Sequence, residues 1–145
     1  IERFTNRIID RFGSVAGKHF ALWGLAFKPN TDDTREAPAF TIIERLLSEG
    51  ATVSAYDPEA MENTKRVFGE RISYAASAQE TLAGADALLI ATEWNEFRKP
   101  DLAAVRNALS EPIIFDGRNL YELHTMENAG FEYHSIGRRT AIPKR

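Results

Sequence analysis

Apolar residues recur with two periods along this chain. At the start, Ile1, Phe4, Ile8, Ile9 and Phe12 fall on one side of a 3.6-residue spiral with charges opposite, which predicts an amphipathic helix closed near Gly13. From His19 onward, short apolar runs alternate with helical stripes. HFALWGL (19–25), TVSAY (52–56), RISYA (71–75), ALLIAT (87–92), PIIFD (112–116) and EYHSIG (132–137) read as strands. Between the first two, Ala39, Ile42, Ile43, Leu46 and Leu47 mark a helix that stops at Gly50. A second helix is expected from Asp57-Pro58, read as an N-cap followed by proline in the first turn, to about Phe68. Residues 78–83 and 122–128 read as short helices, and Asp101 as the cap of a helix that turns Leu102, Val105 and Leu109 inward. The closing RRTAIPKR reads as a frayed tail.

Six strands alternating with helices through short connections predict the α/β class: a Rossmann-like, doubly wound parallel six-stranded sheet with flanking helices, preceded by an N-terminal connecting helix. Right-handed crossovers leave few strand orders, of which 3-2-1-4-5-6 is the commonest for six strands. The expected organisation is a linker helix over residues 1–16, one domain over 17–138 and a tail over 139–145. The first helix must lay its stripe either on this domain or on an upstream one. The chain begins without Met, from which further residues upstream are expected.

Open α/β sheets bind ligands beyond the carboxyl ends of their strands, where the strand order reverses. That directs attention to the loops after strands 1, 4 and 5. The first, Gly24 to Glu36, is long and polar, carries Lys28 and Arg35, and leads into a helix N-terminus, where free N–H groups and the helix dipole favour phosphate. The competing reading has Lys28 solvated and Arg35 paired with Asp32, Asp33 or Glu36. The loop is no GxGxxG fingerprint, since only Gly24 is present, and Asp57 lies 33 positions beyond it rather than the about 20 of that fingerprint. The loop after strand 4 carries Trp94 and Phe97, which could stack on a base, meet a partner subunit or cover the sheet edge. After strand 5, Asp116-Gly117 marks a tight turn that projects Arg118, whose guanidinium suits a diphosphate, the competing reading being a surface salt-bridge partner. Lys28, Arg35 and Arg118 on one crevice point to an anion site.

Composition narrows this further. With 43% hydrophobic and 27% charged residues the chain is an ordinary globular one. A net charge of −3 offers no basic field for nucleic acid or an anionic membrane. The lack of cysteine excludes disulfides, thiolate metal sites and a cysteine nucleophile, and fits a cytoplasmic protein. His19, His124 and His134 are too scattered for a metal site, so no metal is expected. Neither a Ser/His/Asp set nor a carboxylate pair with an evident role is present, so independent catalysis is not expected.

GLAFKPNTDDTREAP (24–38), TEWNEFR (92–98) and FDGRN (115–119), in that order, resemble the C-terminal domain of the UDP-glucose/GDP-mannose dehydrogenase family, and GFEYHSIGR (130–138) resembles its bacterial UDP-glucose 6-dehydrogenase branch. The resemblance runs from about Gly17 to Arg138. It implies a domain of an NAD-dependent enzyme that oxidises UDP-glucose to UDP-glucuronate, with two NAD reduced. In that family an N-terminal Rossmann domain binds NAD, a central helical region holds a homodimer, and a cysteine forms thiohemiacetal and thioester intermediates. Neither that cysteine nor a GxGxxG loop occurs here, as expected of a C-terminal fragment, so the isolated chain is expected to be inactive. By the same resemblance Phe27, Lys28 and Arg118 would contact the nucleotide sugar, Arg35 would reach the NAD diphosphate, and Asp33 and Glu36 would brace the loop. The alternatives are the UDP-N-acetylmannosamine and GDP-mannose branches, or a stand-alone nucleotide-binding module.

Overall fold

Short β-rich apolar runs bounded by Gly, Pro and Asp build the centre of the molecule. The computed structural model describes residues 1–144. Its strands are β1 (His19–Trp23), β2 (Thr52–Tyr56), β3 (Ser73–Tyr74), β4 (Ala87–Ile90), β5 (Ile113–Asp116) and β6 (Glu132–His134). All pairs are parallel, in the order β3-β2-β1-β4-β5-β6. The order reverses between β1 and β4, where Trp23 pairs with Ile90. β4 and β5 are buried along their whole length, as expected of central parallel strands covered on both faces.

The helices are α1 (Glu2–Phe12), α2 (Pro38–Ser48), α3 (Met61–Phe68), α4 (Leu102–Ala108) and α5 (Leu123–Asn128). The stripe of α1 packs on this sheet. Phe4 and Ile8 are buried, Phe12 meets Phe20 edge-on at 5.6 Å, and Arg11 forks onto Glu132 at 2.6 and 3.0 Å. Burying Phe4 and Ile8 contributes about 1.5–3 kcal/mol each, so α1 is an integral part of the core. Its N-terminal end stands at the carboxyl ends of β4 and β5, because Phe4 shares a cavity with Ile90 and Gly117.

Three local expectations are corrected. The segment after β2 turns helical only at Met61, because the Asp57 carboxylate accepts from the Glu59 and Ala60 N–H groups (both 2.8 Å) and holds a turn there instead of capping α3. Residues 79–82 form a 3₁₀ turn, shorter than the helix read from the sequence. The tail is tied down. Ala141 is fully buried and forms an antiparallel bridge with Tyr133, and the Lys144 N–H donates to the Glu127 carbonyl. Asp101 caps α4 as expected, accepting from Ala104 N–H at 3.1 Å.

Candidate functional site

The loop from Gly24 to Ala37 leaves β1 at the sheet's switch point. Gly24 sits at φ 99°, and a Cβ there would stand 2.6 Å from the backbone nitrogen of Thr92, so only glycine lets the β1 and β4 loops approach this closely. Beyond it the loop folds on itself: Phe27 N–H donates to the Asp33 carbonyl (3.0 Å), and Arg35 N–H to the Asp33 carboxylate (2.9 Å). The Arg35 guanidinium forks onto the same carboxylate, from Nε at 3.0 Å and Nη2 at 2.7 Å, and its side chain stays 88% exposed. This hydrogen bonding, together with the charges of Arg35 and Lys28, holds the Asp33 carboxyl down at about 2. Asp33 is the partner Arg35 selects among the three acids beside it. Glu36 is exposed and takes a left-handed conformation, φ 57°, just before α2. Phe27 and Lys28 are exposed at the loop's outer side, with the ammonium 5.3 Å from the ring centroid.

Beneath this loop lies a residue with no functional role predicted from the sequence. Asp57, at the end of β2, is fully buried. One carboxylate oxygen accepts from Leu25 N–H (2.7 Å), Ala26 N–H (3.0 Å) and the Trp94 indole N–H (3.1 Å), while the other holds Glu59 and Ala60. Where a dinucleotide fold turns an acid outward to a ribose, this chain turns it inward to its own loops. The only hint in the sequence was an acid directly after a buried strand. Trp94 is 8% exposed, and Phe97 is fully buried and stacked on Trp23 at 5.2 Å. Of the roles open to these aromatics, structural packing is the one observed.

At the end of β5, Asp116 is also fully buried. It accepts from Arg118 N–H (2.8 Å), Leu120 N–H (2.7 Å) and the Tyr133 hydroxyl (2.7 Å), which fixes the turn that presents Arg118. The Arg118 guanidinium is held by Glu93, from Nε at 3.1 Å and Nη2 at 2.5 Å. Burial pushes the Glu93 carboxyl up, but the hydrogen bond and charge of Arg118 outweigh it and the net shift is downward. Sequence reading missed this pair, since its members stand on different loops. Arg118 lines a small cavity with Pro38, the first residue of α2, and with Ile42, Ile90 and Gly117. No side chain caps α2 and its first turn has no acid, and that turn, through Pro38 and Ile42, borders the same cavity as Arg118. The cavity shares Ile1, Phe4 and Gly117 with a cleft of about 540 Å³. A larger groove of about 740 Å³ follows the outer side of α1, but it is shallow, mixed in charge and away from the switch point.

The structure therefore brings Arg118 and the α2 N-terminus together, and sets Phe27, Lys28, Asp33 and Arg35 on one neighbouring loop. Among the described residues no group of three or more acids and histidines could hold a metal ion, and no helix is long and apolar enough to cross a membrane. Every buried side-chain polar atom among them has a hydrogen-bond partner.

Comparison with known proteins agrees with this geometry. Residues 21–123 match the UDP-binding domain of the UDP-glucose/GDP-mannose dehydrogenase family. The chain is 43% identical over 139 residues to the UDP-glucose 6-dehydrogenase YwqF of Bacillus subtilis, covering 96% of this chain and 32% of that protein. It is 44% identical over 126 residues to a UDP-glucose 6-dehydrogenase of Rhizobium meliloti, covering 87% and 29%. Among solved structures, a UDP-glucose dehydrogenase of the archaeon Pyrobaculum islandicum superposes with a TM-score of 0.71 at 34% identity, covering 81% of this chain and 26% of that one. An NDP-N-acetyl-D-galactosaminuronic acid dehydrogenase of Methanosarcina mazei reaches 0.79 at 26% identity, covering 95% and 28%. The chain thus spans about a third of the length of the curated relatives it matches. With its switch-point crevice, its α2 N-terminus and its Asp-Gly-Arg turn, the chain belongs to the UDP-glucose/GDP-mannose dehydrogenase family, as that family's UDP-binding domain.

Proposed function

We propose that this chain is the nucleotide-sugar wall of an NAD-dependent UDP-glucose 6-dehydrogenase, which converts UDP-glucose, water and two NAD to UDP-glucuronate and two NADH. The observation that carries the reading is the guanidinium of Arg118 beside the uncapped N-terminus of α2, in a family member 43% identical to a UDP-glucose 6-dehydrogenase. A diphosphate placed there meets a fork of N–H donors and a helix dipole of favourable sign. Phe27 and Lys28 hold the sugar side of the ligand, and Asp33 and Glu36 brace their loop. Arg35, almost fully exposed, fits the diphosphate of NAD lying across the cleft: Asp33 takes its Nε and Nη2, and Nη1 makes no bond to Asp33. When bound, the dinucleotide supplies the hydride acceptor, and the residues of this chain bind and orient. The chain has no cysteine, so a thiol nucleophile comes from elsewhere in the enzyme. The same reading assigns the N-terminal and central domains of the full-length chain as partners, a homodimer as the assembly, the cytoplasm as location and polysaccharide precursor supply as role.

Calorimetric titration of full-length protein with UDP-glucose, UDP-N-acetylmannosamine and GDP-mannose tests the substrate, with UDP-glucose expected to bind tightest. Arg118→Ala is expected to weaken UDP-glucose by about 2–4 kcal/mol, the loss of a charged contact in a cleft. Unchanged affinity removes Arg118 from the site. NADH production from UDP-glucose by the 145-residue chain alone would refute the division of labour.

A further inference from the structure

Residues Thr92, Glu93 and Trp94 lie on the loop that follows β4 and leads into the 3₁₀ turn at Asn95–Phe97. Two of them engage the β1 loop. The Thr92 hydroxyl donates to the Ala26 carbonyl at 2.7 Å, and the Trp94 indole donates to the Asp57 oxygen that also holds the N–H groups of Leu25 and Ala26. The first tie ends at Ala26 and the second reaches Ala26 through Asp57, directly before Phe27 and Lys28. The residue between them, Glu93, engages the β5 loop through Arg118. Thr92–Trp94 therefore bind Arg118 directly on one side and, on the other, the loop that carries Lys28.

We infer that Thr92-Glu93-Trp94 is a positioning bridge that sets Lys28 and Arg118 relative to one another, with Glu93 orienting the guanidinium and Trp94 fixing the lysine loop. The inference rests on the nucleotide-sugar reading of Lys28 and Arg118. The physical case lies in the bonding. Glu93 takes two N–H groups of Arg118 and leaves the rest of the fork for a ligand, which lowers the rotamer freedom that a long side chain loses on binding. Trp94 anchors to a carboxylate satisfied only by N–H donors, so removing the indole N–H leaves that oxygen with two of its three donors and cuts the tie between the β4 and β1 loops.

The test uses full-length protein and calorimetric titration with UDP-glucose, on the parent, Glu93→Gln, Arg118→Ala and the double variant. Glu93 is half-buried, and its glutamine form keeps the shape and one acceptor. Its Kd is expected to rise about 3- to 10-fold against the parent, and by less than about 2-fold once Arg118 is absent. A structural role shared by the whole domain would give equal losses in both backgrounds, and that result overturns the inference. So does unchanged or tighter binding by Glu93→Gln, which would make the carboxylate a repulsive neighbour of the ligand. If Arg118→Ala alone binds like the parent, the nucleotide-sugar reading falls and takes the bridge with it, an outcome distinct from the other two. Trp94→Phe, which drops the donor and keeps a ring, tests the other side. Its loss of affinity is expected to vanish in a Lys28→Ala background, and a loss that persists there overturns the Trp94 half.

Discussion

Replacing Asp57 by asparagine changes no volume, yet it should be among the costlier substitutions in this chain. Five N–H donors converge on the two carboxylate oxygens, three on one and two on the other. An asparagine can turn its oxygen to the group of three, and its amide then points donors at the N–H groups of Glu59 and Ala60. Leaving two N–H groups without acceptors costs about 2–6 kcal/mol. Relief from burying an unpaired charge works the other way, by on the order of 1–2 kcal/mol once the lost charge-assisted bonds are counted. The net expectation is a destabilisation of up to about 5 kcal/mol, centred near 2–3, a large part of the 5–15 kcal/mol typical of a domain. Urea unfolding followed by tryptophan fluorescence reads it directly, since Trp94 reports on the same carboxylate. A loss below about 1 kcal/mol with an unchanged denaturant slope would show that the hub is dispensable and that the loops hold one another by other means.

Gly24→Ala should cost about 2–5 kcal/mol, combining about 1–2 for a left-handed alanine with a forced shift of the Thr92 backbone. Gly13→Ala has a similar positive φ and open space around it, so it should show the conformational part alone, and equal midpoint shifts for the two would deny the contact. All four tyrosines, Tyr56, Tyr74, Tyr121 and Tyr133, have phenols pushed above the ordinary value, mainly by burial, with Tyr56 reaching about 12. The folded chain thus keeps its phenolic protons longer than the unfolded one. The stability this confers is complete below about pH 10, and the Tyr56 share is lost as pH rises through about 12. Spectrophotometric titration should find the tyrosines of the native protein ionising at higher pH than those of the unfolded chain, and a native titration that matches the unfolded one would contradict the packing.

The sheet was legible because its strands are short apolar runs with unambiguous punctuation, and because right-handed crossovers leave little choice of order. Lys28, Arg35 and Arg118 could be placed at one end of the sheet from strand direction alone. The pairings that organise the site could not. Glu93 and Arg118 are 25 positions apart, and Asp57 meets Trp94 across 37. Nothing local marks such contacts. The same competition explains the late start of α3: an Asp-Pro pair reads as a cap, but this carboxylate is drawn into five bonds before the helix begins. The tail was misread for a related reason, since RRTAIPKR is polar and the one buried residue that anchors it is an alanine.

That anchored tail bears on how copies of this protein can meet. A parallel sheet has two open margins, and each is a template on which another chain could add a strand. Here one margin is β3, only two residues long, and the other is β6, whose outer backbone is taken at Tyr133 by Ala141. Neither side offers a run of free N–H and C=O groups for growth. Among the described residues, edge-to-edge growth is thus disfavoured at both margins, at β6 by the chain's own Ala141 and at β3 by its shortness, which leaves side-chain surfaces as the better route to assembly.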